Sequence, residues 1–188
     1  MARSDTFSLA NSSFEEADFV IMGVPYDGTT RLRSGTRKAP AAIRKASKIF
    51  DPFLFEHGFD TSTARVHDAG DLDCGSSCED MFEAVERKAS EVVDAGKFPI
   101  LIGGERSITY PLARAFQDVG VISIDAHLDF RSDCGSKFDH ACTMRRVADL
   151  VGVENVVPFG VRSISKEELS GDLPNYVDAY QIREAGVE

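Results

Sequence analysis

Short apolar runs separated by longer amphipathic stretches set the pattern of this chain. Phe19 to Val24 (FVIMGV), Phe98 to Ile102 (FPILI), Val121 to Ile124 (VISI) and Asn155 to Gly160 (NVVPFG) are too short for helices and nearly continuous in apolar character. They read as strands buried on both faces. Val66 to Leu72 (VHDAGDL) reads as a further short strand. Helical patterns lie between them. Pro40 suits a first helical turn, and the helix it opens runs to Phe50 with Ile43, Ala46 and Ile49 or Phe50 on one face. Ser76 and Glu79 have capping-box spacing and introduce a helix with Phe82, Val85, Ala89, Val92 and Val93 on one stripe, ended by Gly96. Ser107 to Gln117 and Met144 to Val151 also read as helical, whereas residues 51–64 show no period and read as loop. The tail predicts a short helix from Lys166 and one further strand or helix.

Strands alternating with helices predict a three-layer α/β/α fold with a mainly parallel sheet. No repeat or linker interrupts the chain, so residues 1–188 are expected to form one domain, with residues 1–18 as an N-terminal arm. In such sheets ligands bind outside the carboxyl ends of the strands. The polar stretches after FVIMGV, FPILI and VISI all fall at that edge.

The last of these stretches carries the clearest candidate chemistry. Asp125, His127 and Asp129 alternate with Ala126 and Leu128. On an extended backbone, side chains at i, i+2 and i+4 share one face, which would stand two carboxylates beside one imidazole. Mixed oxygen and nitrogen donors suit manganese, iron, zinc or nickel better than calcium. The same run also reads as a polar loop after a strand.

Composition narrows the classes. Hydrophobic content of 43% and charged content of 28% are ordinary for a soluble globular chain. The 31 acidic and 21 basic residues give a formal charge of −10, which argues against a nucleic-acid partner. No apolar run is long enough to span a membrane, and Met1 to Ser13 has no signal-peptide core, so a cytoplasmic location is expected. Cys74, Cys78, Cys134 and Cys142 lack paired Cys-x-x-Cys spacing and read as thiols in a reducing compartment.

Four segments, in order, resemble the ureohydrolase family of arginases and agmatinases, most closely the agmatinase branch. Gly23-Val24-Pro25-Tyr26-Asp27-Gly28-Thr29-Thr30, with Gly35-Thr36-Arg37 and Pro40-x-x-Ile43-Arg44, resembles the family's N-terminal signature. Gly103-Gly104-Glu105-Arg106-Ser107 sits where the family carries Gly-Gly-Asp/Glu-His-Ser, and Asp125-Ala126-His127-Leu128-Asp129 matches its Asp-Ala-His-x-Asp metal motif. Phe138-Asp139-His140 resembles the agmatinase segment whose histidine belongs to the active-site wall. The resemblance implies a manganese-dependent amidinohydrolase that releases urea from a small cationic guanidino substrate, agmatine above all. It also implies that Asp125 bridges two ions, that His127 binds one and Asp129 the other, and that His140 moves protons or places substrate. Without the neighbouring match, His140 reads as an ordinary surface histidine. Homo-oligomers, trimers or hexamers, are a further implication.

Two departures qualify the resemblance. Arg106 stands where the family has a metal-ligating histidine, and a guanidinium has no lone pair to donate. The family's later Ser-x-Asp-x-Asp motif has no counterpart after Gly160, where Asp172 and Asp178 are isolated. The expectation is therefore a ureohydrolase-like fold incomplete at the C-terminus, holding fewer than two manganese ions tightly. Its open sheet edge should favour association with further copies or with a missing C-terminal portion. A catalytically silent relative acting as a partner or regulatory subunit is the alternative reading.

Overall fold

The structure, a computed structural model, describes residues 6–186; residues 1–5 of the expected arm lie outside them. The fold divides into two compact units, Met1–Ile108 and Thr109–Glu188.

The first unit is built on β1 (Phe19–Val24), whose residues from Val20 onward are buried. It lies between β4 (Val66–Asp71) and β5 (Phe98–Gly103) and pairs with both in parallel, Phe19 standing opposite Val66 and Phe98. Side chains alternate along β1. Val20 and Met22 pack with Val92 of α2 (Cys78–Asp94), and Phe14, Ala69, Leu72 and Leu101 close around them. Gly23 belongs to the other face, where a Cβ would lie 2.9 Å from the Arg44 guanidinium of α1 (Ala39–Ala46). Helices on opposite faces of a parallel sheet are the expected layering. The N-terminal arm is tied down: Asn11 and Ser12 donate their N–H groups to the Val66 carbonyl, and Ala17 is buried.

α2 begins one residue later than the sequence pattern suggested. Ser77, not Ser76, is the N-cap, and Asp80 rather than Glu79 completes the capping box. Full burial of one large apolar side chain is worth about 1.5–3 kcal/mol, against about 1 kcal/mol for a cap. The buried stripe of Met81, Ala84, Val85, Ala89 and Val92 therefore fixes the helix, and the cap only its first turn.

α1 overturns an expectation. Its buried positions are Pro40 and Arg44, with Ser47 in the following 3-10 turn, at i, i+4 and i+7. Ile43, Ala46, Ile49 and Phe50 are exposed instead. An ion pair between Arg44 and Asp68 claims the inward face, which an apolar-face rule does not anticipate. Residues 51–64, expected as loop, contain a small antiparallel hairpin of β2 (Phe53–Leu54) and β3 (Phe59–Asp60) with 3-10 turns around it.

In the second unit, β6 (Val121–Ile124), β7 (Val156–Val161) and the two-residue β8 (Val177–Asp178) form a parallel sheet in that order. α4 (Thr143–Val151) supplies Met144, Val147 and Ala148 to a core that also holds Ala113, Leu128, Phe130, Val156 and Val161. The expected helix from Ser107 to Gln117 reduces to a 3-10 turn, Arg106–Ile108, followed by α3 (Thr109–Ala113). The tail gives a 3-10 turn at Glu168–Ser170, then β8 and α5 (Ala179–Ala185), whose N-cap is Asp178 in a capping box with Gln181.

Each unit's three-stranded sheet has two edge strands, β4 and β5 in the first and β6 and β8 in the second. Among the described strands β5 pairs only with β1, and β6 only with β7. On β6, Ile122 and Ile124 are 73% and 84% exposed, and on β5 Phe98 is 58% exposed.

Candidate functional site

In the first unit the loops after β1 and β5 are laced together by glycine and carboxylate. Gly104 donates its N–H to the Val24 carbonyl at 3.0 Å, and Glu105 donates to Tyr26 O at 2.9 Å. A Cβ on Gly104 would stand 2.0 Å from Tyr26 O, so only glycine permits this approach. The Glu105 carboxylate is buried and accepts from the Thr29 N–H and hydroxyl, at 2.9 and 2.8 Å, and from the Ser107 hydroxyl at 2.6 Å. Asp27 is likewise buried, accepting from the Gly35 N–H at 2.6 Å and from the Arg37 guanidinium. That guanidinium contact, together with backbone N–H donors, outweighs burial and holds the Asp27 carboxyl at about 2. These two carboxylates had no role in the motif reading. Their signal was their place in polar loops directly after apolar runs. Arg106 begins the 3-10 turn after Glu105 and is half-buried.

In the second unit β6 stops at Ile124, so the Asp125–Asp129 run lies beyond the strand. Asp125 and His127 come together. Asp125 Oδ1 accepts the His127 backbone N–H at 2.8 Å and lies 3.2 Å from His127 Nδ1. The chain beyond them stays beside the loop after β7: Arg162 and Ser163 both donate N–H groups to Ala126 O, and His127 bridges to Ser163. Asp129 then turns the backbone into the left-handed region with φ 53°, and its residue is buried. Its carbonyl accepts the N–H groups of Met144 and Arg145 at 3.1 and 3.3 Å, holding the first turn of α4. The simple alternation argued from an extended backbone therefore does not describe this loop.

His140 opens a 3-10 turn before α4, and its Nδ1 is 3.5 Å from Oδ1 of the buried Asp139. Asp139 is the cap of that turn, accepting the Ala141 N–H at 2.9 Å. Phe138 of the same segment packs on Tyr110, ring centroids 5.7 Å apart. A cavity of about 340 Å³ in this unit is lined by Phe116, Asp118, Val119, Gly120, Leu150, Val151 and Asn155, none of them a candidate residue.

A divalent ion held tightly needs several donors converging on one point. Among the described residues no group of three or more His, Cys, Asp or Glu side chains stands ready to hold one. Asp125 and His127 form a donor pair, and a pair alone does not make a tight site.

Residues 17–188 match the Arginase family. The chain belongs to that family. Agmatinase from Pyrococcus horikoshii is 36% identical over 170 residues, covering 89% of this chain and 59% of that protein. N(1)-aminopropylagmatine ureohydrolase from Thermococcus kodakarensis is 34% identical, covering 82% of this chain and 54% of its own length. Among solved structures, agmatine ureohydrolase of Thermoplasma volcanium superposes with a TM-score of 0.92 at 34% identity, covering 97% of this chain and 64% of that one. Trypanosoma cruzi formiminoglutamase with manganese superposes with a TM-score of 0.83 at 29% identity, covering 95% and 65%. The parallel sheets with flanking helices are thus the arginase-family fold. This chain spans about three-fifths of the length of the relatives it matches, 59% of the Pyrococcus protein.

Proposed function

We propose that this arginase-family chain belongs to amidine C–N hydrolysis of the agmatinase type, on a small cationic guanidino compound, and that Asp125, His127 and Asp129 are its contribution to a manganese site. The pairing of Asp125 with His127 just beyond β6 is the observation that supports this reading. An agmatinase at 36% identity and an N(1)-aminopropylagmatine ureohydrolase at 34% support the substrate class. A divalent ion bound there supplies the lowered water pKa that attack on a resonance-stabilised guanidinium requires. The chain's own parts would do the remainder. Asp125, at hydrogen-bond distance from Nδ1, orients the His127 ring. His140, half-buried beside Asp139, would take or give a proton, a task for which imidazole is generally suited. The acidic surface, with net charge −10, favours approach of a cation.

The donor set is short, so the isolated chain should retain fewer than two manganese ions and release urea slowly. Arg106 supports the second reading, a catalytically silent relative that serves a partner chain, because no arginine can replace the donor that the resemblance places there. Metal analysis after desalting, together with urea release from agmatine, guanidinobutyrate and arginine in added manganese, separates the two. Urea from agmatine that depends on manganese and is lost in His140→Asn supports hydrolysis. Two ions retained without activity would leave the silent reading standing alone.

A further inference from the structure

We infer that Cys134 and Cys142 form an oxidative modification site, a dithiol that closes to an intraloop disulfide by exchange with a small-molecule disulfide such as oxidised glutathione. The two cysteines sit at either end of the segment that carries Phe138, Asp139 and His140. The segment folds back on itself: Arg131 donates its N–H to Ala141 O at 3.4 Å, and Cys142 donates to Asp139 O at 2.8 Å. Both cysteines converge on one carbonyl. Cys134 reaches Ser136 O through its backbone N–H at 3.4 Å, and Cys142 reaches it through its thiol at 3.8 Å. The Cys134 side chain is also an immediate neighbour of the Cys142 thiol.

The two thiols are chemically unequal. Cys142 is fully buried at the start of α4, and burial first, then the neighbouring Cys134 and Asp139, pushes its thiol up to about 12. Cys134 is half-buried beside the exposed Gly135, so a small disulfide reaches its sulfur and not that of Cys142. Cys134 is therefore the attacking sulfur. Its thiolate attacks the small disulfide RSSR, forming Cys134–S–SR and expelling RS⁻, which takes up the proton Cys134 lost. Cys142 sulfur then attacks the Cys134 sulfur, breaks the S–SR bond, and gives its proton to the second RS⁻. Two protein thiols are oxidised, and one RSSR becomes two RSH. To form the bond the two sulfurs must close to about 2.05 Å. Gly135, at φ 94° in the exposed stretch next to Cys134, lets that end of the loop move while Cys142 stays anchored.

Trypsin cuts after Arg131, Lys137 and Arg145, which places Cys134 in peptide 132–137 and Cys142 in peptide 138–145. The folded chain is incubated with oxidised glutathione, quenched with an alkylating agent and digested without reductant. The expected product is these two peptides joined, two hydrogens lighter than their sum. Cys142→Ser is expected to stop at a glutathione adduct on Cys134. Cys134→Ser, a change in an exposed loop, is expected to give neither the linked pair nor an adduct on Cys142. Wild-type protein that carries a stable adduct on Cys134 with no linked peptide overturns the inference. So does a linked pair or an adduct that forms faster at Cys74 or Cys78.

Discussion

Replacing Arg44 tests how the first unit is held together. The Arg44 side chain is 5% exposed, and that of its partner Asp68 is fully buried. Nε and Nη2 of Arg44 meet the two oxygens of Asp68 at 2.8 and 2.9 Å, a bidentate contact, while Nη1 reaches Asp71. Burial by itself would raise the Asp68 carboxyl. The Arg44 guanidinium and the N–H groups of Phe7 and Gly70 outweigh it, and the group sits below its ordinary range. Removing Arg44 leaves a buried carboxylate with two backbone donors and no counter-charge. Breaking a buried pair in this way costs about 3–5 kcal/mol. The Asp71 arm adds little, since Asp71 is 39% exposed and a surface bridge is worth about 0–1 kcal/mol. Arg44→Met keeps most of the stem that packs beneath the guanidinium, so it isolates the charge from the packing. The assay is urea unfolding followed by far-ultraviolet circular dichroism, because the chain has no tryptophan. Arg44→Met should lose about 3–5 kcal/mol, and Arg44→Met with Asp68→Asn should recover part of that loss because no buried charge is then left unpaired. A loss below about 1 kcal/mol, or strictly additive single and double variants, would refute the reasoning.

Three further outcomes are expected. Asp27, Asp68 and Glu168 all have folded carboxyl values below their ordinary ones, so the stability they contribute is complete above about pH 5 and drains away as pH falls toward the value of about 2 held by Asp27; unfolding curves from pH 7 to pH 3 should show this slope, and Asp68→Asn should flatten it. Gly104→Ala should destabilise by about 1–3 kcal/mol by driving a Cβ into Tyr26 O, whereas Gly120→Ala, whose nearest neighbour would be 3.6 Å away, should be close to neutral in the same denaturant assay. The chain should self-associate through its bare apolar strands, and Ile122→Lys with Ile124→Lys should shift its sedimentation profile toward monomer; an unchanged profile rules those two residues out of the contact.

Strands were legible as short apolar runs between turn residues, although the burial on both faces expected of them holds for β1 and not for β5 or β6. β1, β5, β6 and β7 lie within a residue or two of the expected bounds. α2 was legible through Val85, Ala89 and Val92, but Met81 and Ala84 take the buried places expected of Phe82 and Val93, which are only partly buried; its start slipped because Ser76 and Ser77 each have an acid three residues on. α1 was misread for a specific reason. Its inward face is chosen by a long-range pair, Arg44 with Asp68, 24 residues apart, and no local periodicity reports a partner at that distance. The apolar residues on its outward side, continued by exposed Phe53, Leu54, Phe55 and Phe59, then sit in solvent.

The same limit governs the candidate site. Alternation of Asp125, His127 and Asp129 is informative only while the backbone remains extended, and here it ceases to be so at the end of β6. Asp125 spends one oxygen on the His127 N–H, a local turn that a short carboxylate side chain favours. Asp129 adopts a positive φ, uncommon for a residue with a Cβ, and uses its carbonyl to hold α4. A non-glycine residue kept at positive φ costs on the order of 1–3 kcal/mol, and such strain gathers at functional sites. Two N–H contacts from the first turn of α4 offset that cost, and they make the direction of Asp129 depend on the helix that follows it. Spacing therefore identified which residues belong to the loop. What orients them is the loop–helix junction from Asp129 to Arg145, built from backbone hydrogen bonds that a pattern of side-chain types does not encode.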